Sequence, residues 1–214
     1  MRIGGFKDFR VNEEINIKRF INKLLKTPIF NYKIYLAGPD VFRAEKQVQE
    51  VSKALKEISA RYDQTAHFPL DSDMSPEGGD YKSQKFSYQI FSANVDLMDK
   101  SDVIIANIQP FRGPQMDDGT AFEVGYGYAK KKIIYGYSKT SDLKYPQVVD
   151  MFMKSLNKES ADKISSEFPQ VEDFGTNPVN LMIRESIYET GGKIFKTFEE
   201  CLIDLTMQRI SEFS

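Results

Sequence analysis

The sequence has few of the residues on which several common classes of protein depend. Its 214 residues include one cysteine, one histidine and no tryptophan. A single cysteine, Cys201, cannot form a disulfide within the chain, so we expect a small core residue in a reducing compartment and not a reactive thiol. A single histidine, His67, excludes a multi-histidine metal site and argues against mechanisms in which a histidine base works with histidine partners.

Charge and hydropathy argue against two further classes. The chain carries 29 basic and 31 acidic residues, a net charge of -2, whereas nucleic-acid-binding proteins usually present a basic stripe. No apolar run approaches the roughly 20 residues that span a bilayer, and the start of the chain lacks the apolar core of a signal peptide. We therefore expect a cytoplasmic protein whose partners are free small molecules, with no nucleic acid and no membrane.

The rest of the sequence alternates between strand and helix patterns. Residues 1–32 are predicted to form a helical extension, because apolar residues recur there at helical spacing before Pro28. Beyond it, apolar runs predict strands at 33–37, 65–70, 102–108, 132–137 and 193–195, and helices at 41–62, 83–100, 147–156, after Asn180 and after Thr197. Residues 33–214 are thus predicted to form one α/β catalytic domain, in which 138–175 is a long insertion or lid.

The turn after the third strand contains most of the candidate catalytic residues. Residues 103–106 are uninterruptedly apolar, as in a parallel strand covered on both faces, and the carboxyl end of such a strand opens towards a ligand crevice. Three carboxylates follow, Asp117, Asp118 and Glu123. Glu123 comes three residues after Thr120, which predicts a place in the first turn of a helix, near the positive end of its dipole. A carboxylate there should stay ionised at neutral pH and could attack an electrophilic carbon.

The same residues admit two other interpretations. Thr120 and Glu123 fit a capping box, in which Glu123 only reaches the backbone amide of Thr120 and stabilises the helix by about 1 kcal/mol. Alternatively, Asp117, Asp118 and Glu123 could hold Mg²⁺, which prefers oxygen ligands. The wider arrangement favours a site, because a helix that needs only a cap requires neither converging carboxylates nor the preceding Arg112.

Four motifs follow one another along the chain: Tyr35-Leu36-Ala37-Gly38-Pro39-Asp40-Val41-Phe42, Asp96 before the third strand, Pro110–Gly113 with Asp117–Gly125, and Asn180-Leu181-Met182. In this order they resemble the nucleoside 2-deoxyribosyltransferase family, over roughly residue 33 to the C-terminus. The resemblance implies a flavodoxin-like three-layer α/β fold with a central, mostly parallel five-stranded sheet. It also implies transfer of a 2-deoxyribosyl group between nucleobases in nucleoside salvage, without a metal or another cofactor.

The resemblance assigns roles to four side chains. Glu123 matches the family's nucleophile and Tyr35 a tyrosine that holds the nucleophile in position. Asp117 and Asp96 match carboxylates that protonate the leaving base or orient the substrate, and which aspartate does which stays open. These residue types suit the reaction, because cleavage of an N-glycosidic bond develops positive charge at C1′ of the sugar and a nearby carboxylate can capture that carbon as a covalent ester.

Further residues are expected to bind substrate. Asn180 and Met182 match family residues that reach the sugar 5′-hydroxyl from a neighbouring subunit, which implies a homo-oligomer, either a dimer or a hexamer. Without the resemblance, Asn180 would be a helix cap and Met182 a core residue. The uncharged amide of Asn180 favours nucleosides over nucleotides. The other candidates for contact with the base or the sugar are Gly38, Phe42, Asp71, Asp73, Arg112 and Gly119.

Three functions remain open at this point. The leading hypothesis is exchange of the nucleobase of 2′-deoxyribonucleosides through a covalent 2-deoxyribosyl-glutamate at Glu123. A hydrolase of the same superfamily, acting on deoxynucleosides or their monophosphates, would use Glu123 identically but pass the sugar to water. A non-catalytic nucleotide-binding module would need the carboxylates only as caps and turns.

Overall fold

A single parallel sheet organises the protein. The computed structural model describes residues 31–69, 71 and 80–212, in which the strands are β1 (Lys33–Ala37), β2 (Thr65–His67), β3 (Val103–Asn107), β4 (Ile133–Tyr137) and β5 (Ile194–Phe195). They lie in the order β2-β1-β3-β4-β5, and every neighbouring pair is parallel. The predicted α/β class and five-stranded sheet are confirmed, and the sheet is parallel throughout. The predicted helix within residues 1–32 and the candidate Asp73 lie outside the described residues.

Helices connect the strands. They are α1 (Glu45–Arg61), α2 (Gln84–Lys100), α3 (Asp118–Ala129), α4 (Tyr145–Ser155), α5 (Lys158–Glu167), α6 (Leu181–Glu189) and α7 (Phe198–Glu212). The helix predicted at 41–62 begins only at Glu45, because Pro39–Phe42 form a short 3₁₀ helix after β1. The sequence does not predict α5, in which no residue is buried. Within the described ranges, no helix is long and apolar enough to cross a membrane.

Helices cover both faces of the sheet, which makes the fold three-layered. Successive side chains of a strand point to opposite faces, so Ile34 and Leu36 of β1 lie on one side and Tyr35 on the other. The first face packs against α1 and α7 through Val48, Leu55, Phe198, Cys201, Leu202 and Leu205. The second packs against α2, α3 and α6 through Met98, Val124, Ile183 and Ile187. Tyr35 therefore points towards the side of the sheet on which α2 and α3 lie.

Cys201 is a core residue, as the sequence predicts. Its side chain is fully buried in the α7 layer, and its Sγ donates to the backbone oxygen of Gly136 at 3.4 Å. Burial raises the pKa of the Cys201 thiol, so the group stays protonated at neutral pH.

Candidate active site

The centre of the site is a hydrogen bond between Tyr35 and Glu123. Tyr35 is fully buried in the middle of β1, and its hydroxyl donates to Glu123 Oε1 at 2.5 Å. The two residues are 88 positions apart in the chain, so the contact depends on α3 packing over β1 and β3. A short hydrogen bond to a carboxylate is of the strong, charge-assisted kind. It fixes Oε1 of Glu123 and leaves Oε2 without a hydrogen bond among the described contacts.

Helix α3 begins differently from the predicted capping box. Its N-cap is Asp117, whose Oδ2 accepts from the backbone nitrogen and the hydroxyl of Thr120, both at 3.0 Å. Thr120 is thus the third residue of the helix, and Glu123 lies in its second turn. Both the capping-box interpretation and the expected place in the first turn are wrong. The polar partner that Glu123 meets is therefore Tyr35 and not the backbone amide of Thr120.

The surroundings of Glu123 change its protonation. Burial raises the pKa of Glu123 to about 7, the hydrogen bond from Tyr35 lowers it, and the charge of Asp117 raises it further. The expectation of a fully ionised carboxylate is thus corrected, since a pKa of about 7 leaves a substantial neutral fraction of Glu123 at neutral pH. Burial, with the neighbouring Glu123, raises the pKa of Tyr35 far above its ordinary value, so its hydroxyl remains a donor. Perturbed groups that are paired in a crevice are typical of functional sites.

Asp117 and Asp96 occupy different positions around this pair. Asp117 is half-buried at the start of α3, close enough to Glu123 for its charge to affect the pKa of that residue. Both capping hydrogen bonds use Oδ2 of Asp117, so among the described contacts its Oδ1 remains available. Asp96 lies at an exposed position of α2, the helix that packs against β1 beside α3. The structure thus brings Asp117 to Glu123 and places Asp96 on the neighbouring helix.

Asn94 is a polar residue of α2 that sequence reasoning missed. Its Oδ1 is buried and has no hydrogen-bond partner in the described part of the chain. Asn94 lies one turn before Met98, which packs in the same cluster as Tyr35. A buried acceptor without a donor is rare in a folded protein and marks a place where a water or a ligand donor fits.

The carboxyl ends of β1 and β3 are joined by a buried polar cluster that the sequence does not reveal. Asp40 accepts from Asn107 Nδ2 at 2.9 Å and from Arg43 Nε at 2.6 Å. Gly38 allows this approach, because a Cβ at that position would lie 2.7 Å from Cβ of Asn107. Gly119 has a related role, since a Cβ there would lie 3.1 Å from Asp117 Oδ2. Both glycines thus shape the edge of the crevice through their lack of a side chain.

Two aromatic rings line a small cavity at this edge, and the guanidinium group of Arg112 lies over them. Phe42 and Phe111 stack with their ring centroids 5.5 Å apart, and Cζ of Arg112 lies 4.7 Å from the centroid of Phe111 and 5.5 Å from that of Phe42. The cavity measures about 230 Å³ and reaches Asp40 and Asn107. Arg112 has a φ of 55°, an uncommon backbone conformation for a residue with a side chain. The structure therefore brings Phe42 and Arg112 together into a flat surface that suits a planar ring.

Asp71 lies apart from Glu123. It forms an ion pair with Lys56 of α1, and its Oδ2 accepts from the backbone nitrogen of Phe68 at 2.7 Å. It borders a groove of about 800 Å³ along α1. Helix α1 covers the face of the sheet opposite to Tyr35. The contacts of Asp71 with Lys56 and Phe68 therefore give it a structural role on that side.

Asn180 and Met182 lie at the start of α6, and no described hydrogen bond joins them to Glu123. Asn180 is the N-cap of α6, where its Oδ1 accepts from the backbone nitrogen of Met182 at 3.0 Å. The prediction of a helix cap is confirmed, whereas a core position for Met182 is wrong, because this residue is 68% exposed. Helix α6 packs on β4 and against α3, the helix that carries Glu123.

Within the described residues, no three histidine, cysteine, aspartate or glutamate side chains are grouped so that they could hold a metal ion. Asp117 is engaged in capping α3, and Glu123 accepts from Tyr35. The two carboxylates therefore have separate partners.

The strand order and the site define a class of protein. The order β2-β1-β3-β4-β5 is that of flavodoxin-like folds, which bind ligands at the carboxyl ends of the strands, and Glu123 lies beside that edge. A model of the family described as nucleoside 2-deoxyribosyltransferase matches residues 34–182, well over half of the chain. The chain belongs to the nucleoside 2-deoxyribosyltransferase family.

The chain is also similar to individual proteins and solved structures. An uncharacterized protein of Schizosaccharomyces pombe is 35% identical over 127 residues, which are 56% of each chain, so this chain spans just over half the length of that relative. The 2-deoxyribosyltransferase from Leishmania mexicana superposes with a TM-score of 0.60 and 25% identity, over 82% of this chain and 97% of that one. A conserved protein from Enterococcus faecalis V583, with a TM-score of 0.50 and 19% identity over 84% of this chain and 99% of that one, supports the fold alone.

Proposed function

We propose that the protein exchanges the nucleobase of 2′-deoxyribonucleosides, in nucleoside salvage, through a covalent 2-deoxyribosyl ester of Glu123. The observation that carries this proposal is the half-buried Glu123 held by the hydroxyl of Tyr35 at 2.5 Å. Family membership and the similarity to the Leishmania mexicana enzyme support the choice of substrate and reaction. A carboxylate that served only as a cap would gain nothing from being buried and tied to a strand.

In the first half-reaction, Glu123 Oε2 attacks C1′ of the sugar while the bond from C1′ to the base nitrogen breaks. Tyr35 keeps its proton and donates to Oε1, which orients the carboxylate. The electron pair of the broken bond goes to the base, which takes a proton from an aspartic acid. Asp117 is the better placed donor, because it lies near Glu123 and only its Oδ2 is used by the cap; it donates from its neutral form, in which its charge no longer raises the pKa of Glu123. Asp96 on α2 then orients the base or the sugar.

In the second half-reaction, a nitrogen of the incoming base attacks C1′ and the ester bond breaks, which returns Glu123 to its ionised form. The proton of the incoming base passes to the aspartate that protonated the first base. Phe42 and Arg112 offer their stacked surface to either base, since such surfaces tolerate different rings. Water that reaches the ester before a base does gives free deoxyribose, so exclusion of water sets the yield of exchange.

The proposed enzyme works as a homo-oligomer in which Asn180 and Met182 complete the site of a neighbouring subunit. Met182 is exposed at the start of α6, in a position open to a neighbouring subunit. A second surface supports association: the exposed rings of Tyr88, Phe91 and Phe122 on α2 and α3 lie 5.9–6.3 Å apart in succession. Phe122 precedes Glu123 in α3, so a partner that covered this aromatic surface would contact the helix that carries Glu123. Contiguous exposed aromatic surface is typical of protein contacts.

Chromatography tests the proposal. The protein is incubated with thymidine or deoxyinosine and an excess of adenine or cytosine, and both the new deoxynucleoside and free deoxyribose are followed. We expect exchange by the wild type, none by Glu123→Ala, and near-normal exchange by the matched control Asp118→Asn, which removes an exposed carboxylate from the same helix. Intact-protein mass spectrometry without an acceptor base should show one added deoxyribosyl group in the wild type and none in Glu123→Ala.

Each other outcome assigns a different function. Free deoxyribose without exchange would identify a hydrolase. No product from the wild type with any of these substrates would favour a non-catalytic nucleotide-binding module. Activity that is lost on chelation and restored by Mg²⁺ would contradict the metal-free mechanism.

A further inference from the structure

A carboxylate from the inserted segment occupies the start of α6. Glu172 Oε1 accepts from Asn180 Nδ2 at 2.6 Å, and Glu172 Oε2 accepts from the backbone nitrogen of Leu181 at 2.8 Å. Asn180 and Leu181 are the N-cap and the first residue of α6. Both oxygens of Glu172 are therefore bound to the element that carries Asn180, and neither the motifs nor the helical periodicity of the sequence indicates this contact.

Glu172 fixes the orientation of the Asn180 side chain. Asn180 Oδ1 accepts from the backbone nitrogen of Met182, so its Nδ2 must face the other way, towards Glu172. With the amide exchanged end for end, two donors would meet at Met182 and two acceptors at Glu172. The carboxylate thus selects a single arrangement of Asn180 before any substrate binds.

Contacts at the start of α4 hold the part of the chain around Glu172 in place. The backbone nitrogen of Tyr145, the first residue of α4, donates to the backbone oxygen of Asn177 at 2.7 Å, and Lys144 lies 4.0 Å from Asp173. A cavity of about 430 Å³ separates α4 and α5 from Glu172, and its wall includes Gln115 of the loop that precedes α3. The insertion therefore joins the loop before the nucleophile's helix to the start of α6.

We propose that Glu172 positions Asn180 and makes the site select free deoxynucleosides against their 5′-monophosphates. The inference rests on the proposed function, in which Asn180 meets the sugar 5′-hydroxyl in a neighbouring site. A phosphate in place of that hydroxyl would bring about −1.5 to −2 charges next to the carboxylate. It would also find the amide of Leu181, the natural anion donor of a helix N-terminus, already bound to Glu172.

The size of the effect follows from the distance between the charges. The carboxylate of Glu172 and a substrate phosphate that both contact Asn180 would lie about 5 Å apart. At an intermediate effective dielectric, the repulsion between two unit charges at that distance corresponds to about a tenfold loss of affinity. Glu172→Gln removes this charge while keeping the side-chain length and one acceptor oxygen. It should raise the ratio of kcat/KM for the 5′-monophosphate to kcat/KM for the nucleoside by about tenfold or more.

Asp173→Asn is the matched control. It removes the same charge one residue away, from a side chain that faces Lys144 and not Asn180. We expect its ratio of the two kcat/KM values to equal that of the wild type. Glu172→Ala tests positioning separately, because it frees the Asn180 amide and should raise KM for the nucleoside while changing kcat little.

A measurement on the wild type covers the case in which the Glu172 variants do not fold. Raising the salt concentration from about 0.05 M to about 0.5 M shortens the Debye length severalfold and should narrow the discrimination between nucleoside and 5′-monophosphate. Equal ratios in wild type and Glu172→Gln, equal shifts in Glu172→Gln and Asp173→Asn, or discrimination that is independent of salt would each overturn the inference while base exchange stands. Absence of any turnover of nucleoside or 5′-monophosphate by the wild type would overturn the proposed function itself.

Discussion

Replacing Tyr35 by phenylalanine tests how the site controls its nucleophile. The variant keeps the ring in the core and removes only the hydroxyl that donates to Glu123 at 2.5 Å. Because this hydrogen bond lowers the pKa of Glu123 while burial raises it to about 7, its loss leaves burial and the charge of Asp117 unopposed. The pKa of Glu123 should therefore rise in Tyr35→Phe.

The magnitude follows from the type of bond. A hydrogen bond to a charged group contributes about 1.5–3 kcal/mol, and about 1.4 kcal/mol corresponds to one pKa unit, so we expect the pKa of Glu123 to reach about 8–9 in the variant. Glu123 must be ionised to attack C1′, so activity rises with pH through this pKa. At pH 7 the ionised fraction falls from about half to about one tenth or less, and kcat/KM should fall by about fivefold or more.

The assay is the pH profile of kcat/KM for base exchange, between about pH 5.5 and about pH 9.5. Its acid limb should move to higher pH in Tyr35→Phe, and much of the activity should return at the alkaline end. Tyr126→Phe is the control, since Tyr126 also donates to a carboxylate, Asp99, at 2.8 Å but on the exposed side of α3. A uniform loss at every pH, with the limb unmoved, would show that Tyr35 acts by packing alone and would refute this reasoning.

Three further predictions follow from the same contacts. Glu123→Gln should raise the free energy of unfolding by up to about 3 kcal/mol at pH 8 and hardly at pH 4.5. The reason is that folding raises the pKa of Glu123, so the wild type loses stability as pH rises between these two values. Urea unfolding at both pH values checks this prediction. Asp117→Asn keeps a capping oxygen but removes the proposed proton donor, so kcat/KM should fall at every pH. The variant also lacks a charge that raises the pKa of Glu123, so the acid limb of the residual activity should move to lower pH, whereas an unmoved limb would place Asp117 too far away. Phe91→Lys should shift the protein to smaller species in sedimentation velocity, while Tyr128→Lys, on the C-terminal half of α3, should not.

The fold could be predicted from the sequence because each layer leaves a local pattern. The apolar run of β3 and the amphipathic faces of α1 and α2 each follow from burial on one or both sides. Helix α5 escapes this reasoning, since none of its residues is buried and it contains few apolar residues. The sheet order and the distance from Glu123 to Tyr35 depend on contacts between residues far apart in the chain. Local sequence patterns do not predict such contacts.

The site was only partly predictable, and the start of α3 shows why. Asp117 and Thr120 are both good N-cap residues three positions apart, and each has a polar residue three positions further on. Propensity cannot choose between them. The choice is made by tertiary packing, which buries Thr120 inside the helix start and turns Glu123 towards β1. The raised pKa of Glu123 follows from that burial and so was equally hidden from the sequence.

A pKa of about 7 for Glu123 fits a nucleophile that must also be a leaving group. A carboxylate stripped of water attacks C1′ more readily, but a strongly basic one would form an ester that the second base could not displace. Tyr35 opposes burial through a bond whose donor cannot ionise near neutral pH, so the balance between attack and departure does not shift with the tyrosine's own protonation. In this arrangement burial makes the Glu123 carboxylate reactive, and the hydrogen bond from Tyr35 limits its basicity. Both effects arise where α3 packs on β1, because that packing buries Glu123 and brings the Tyr35 hydroxyl to it.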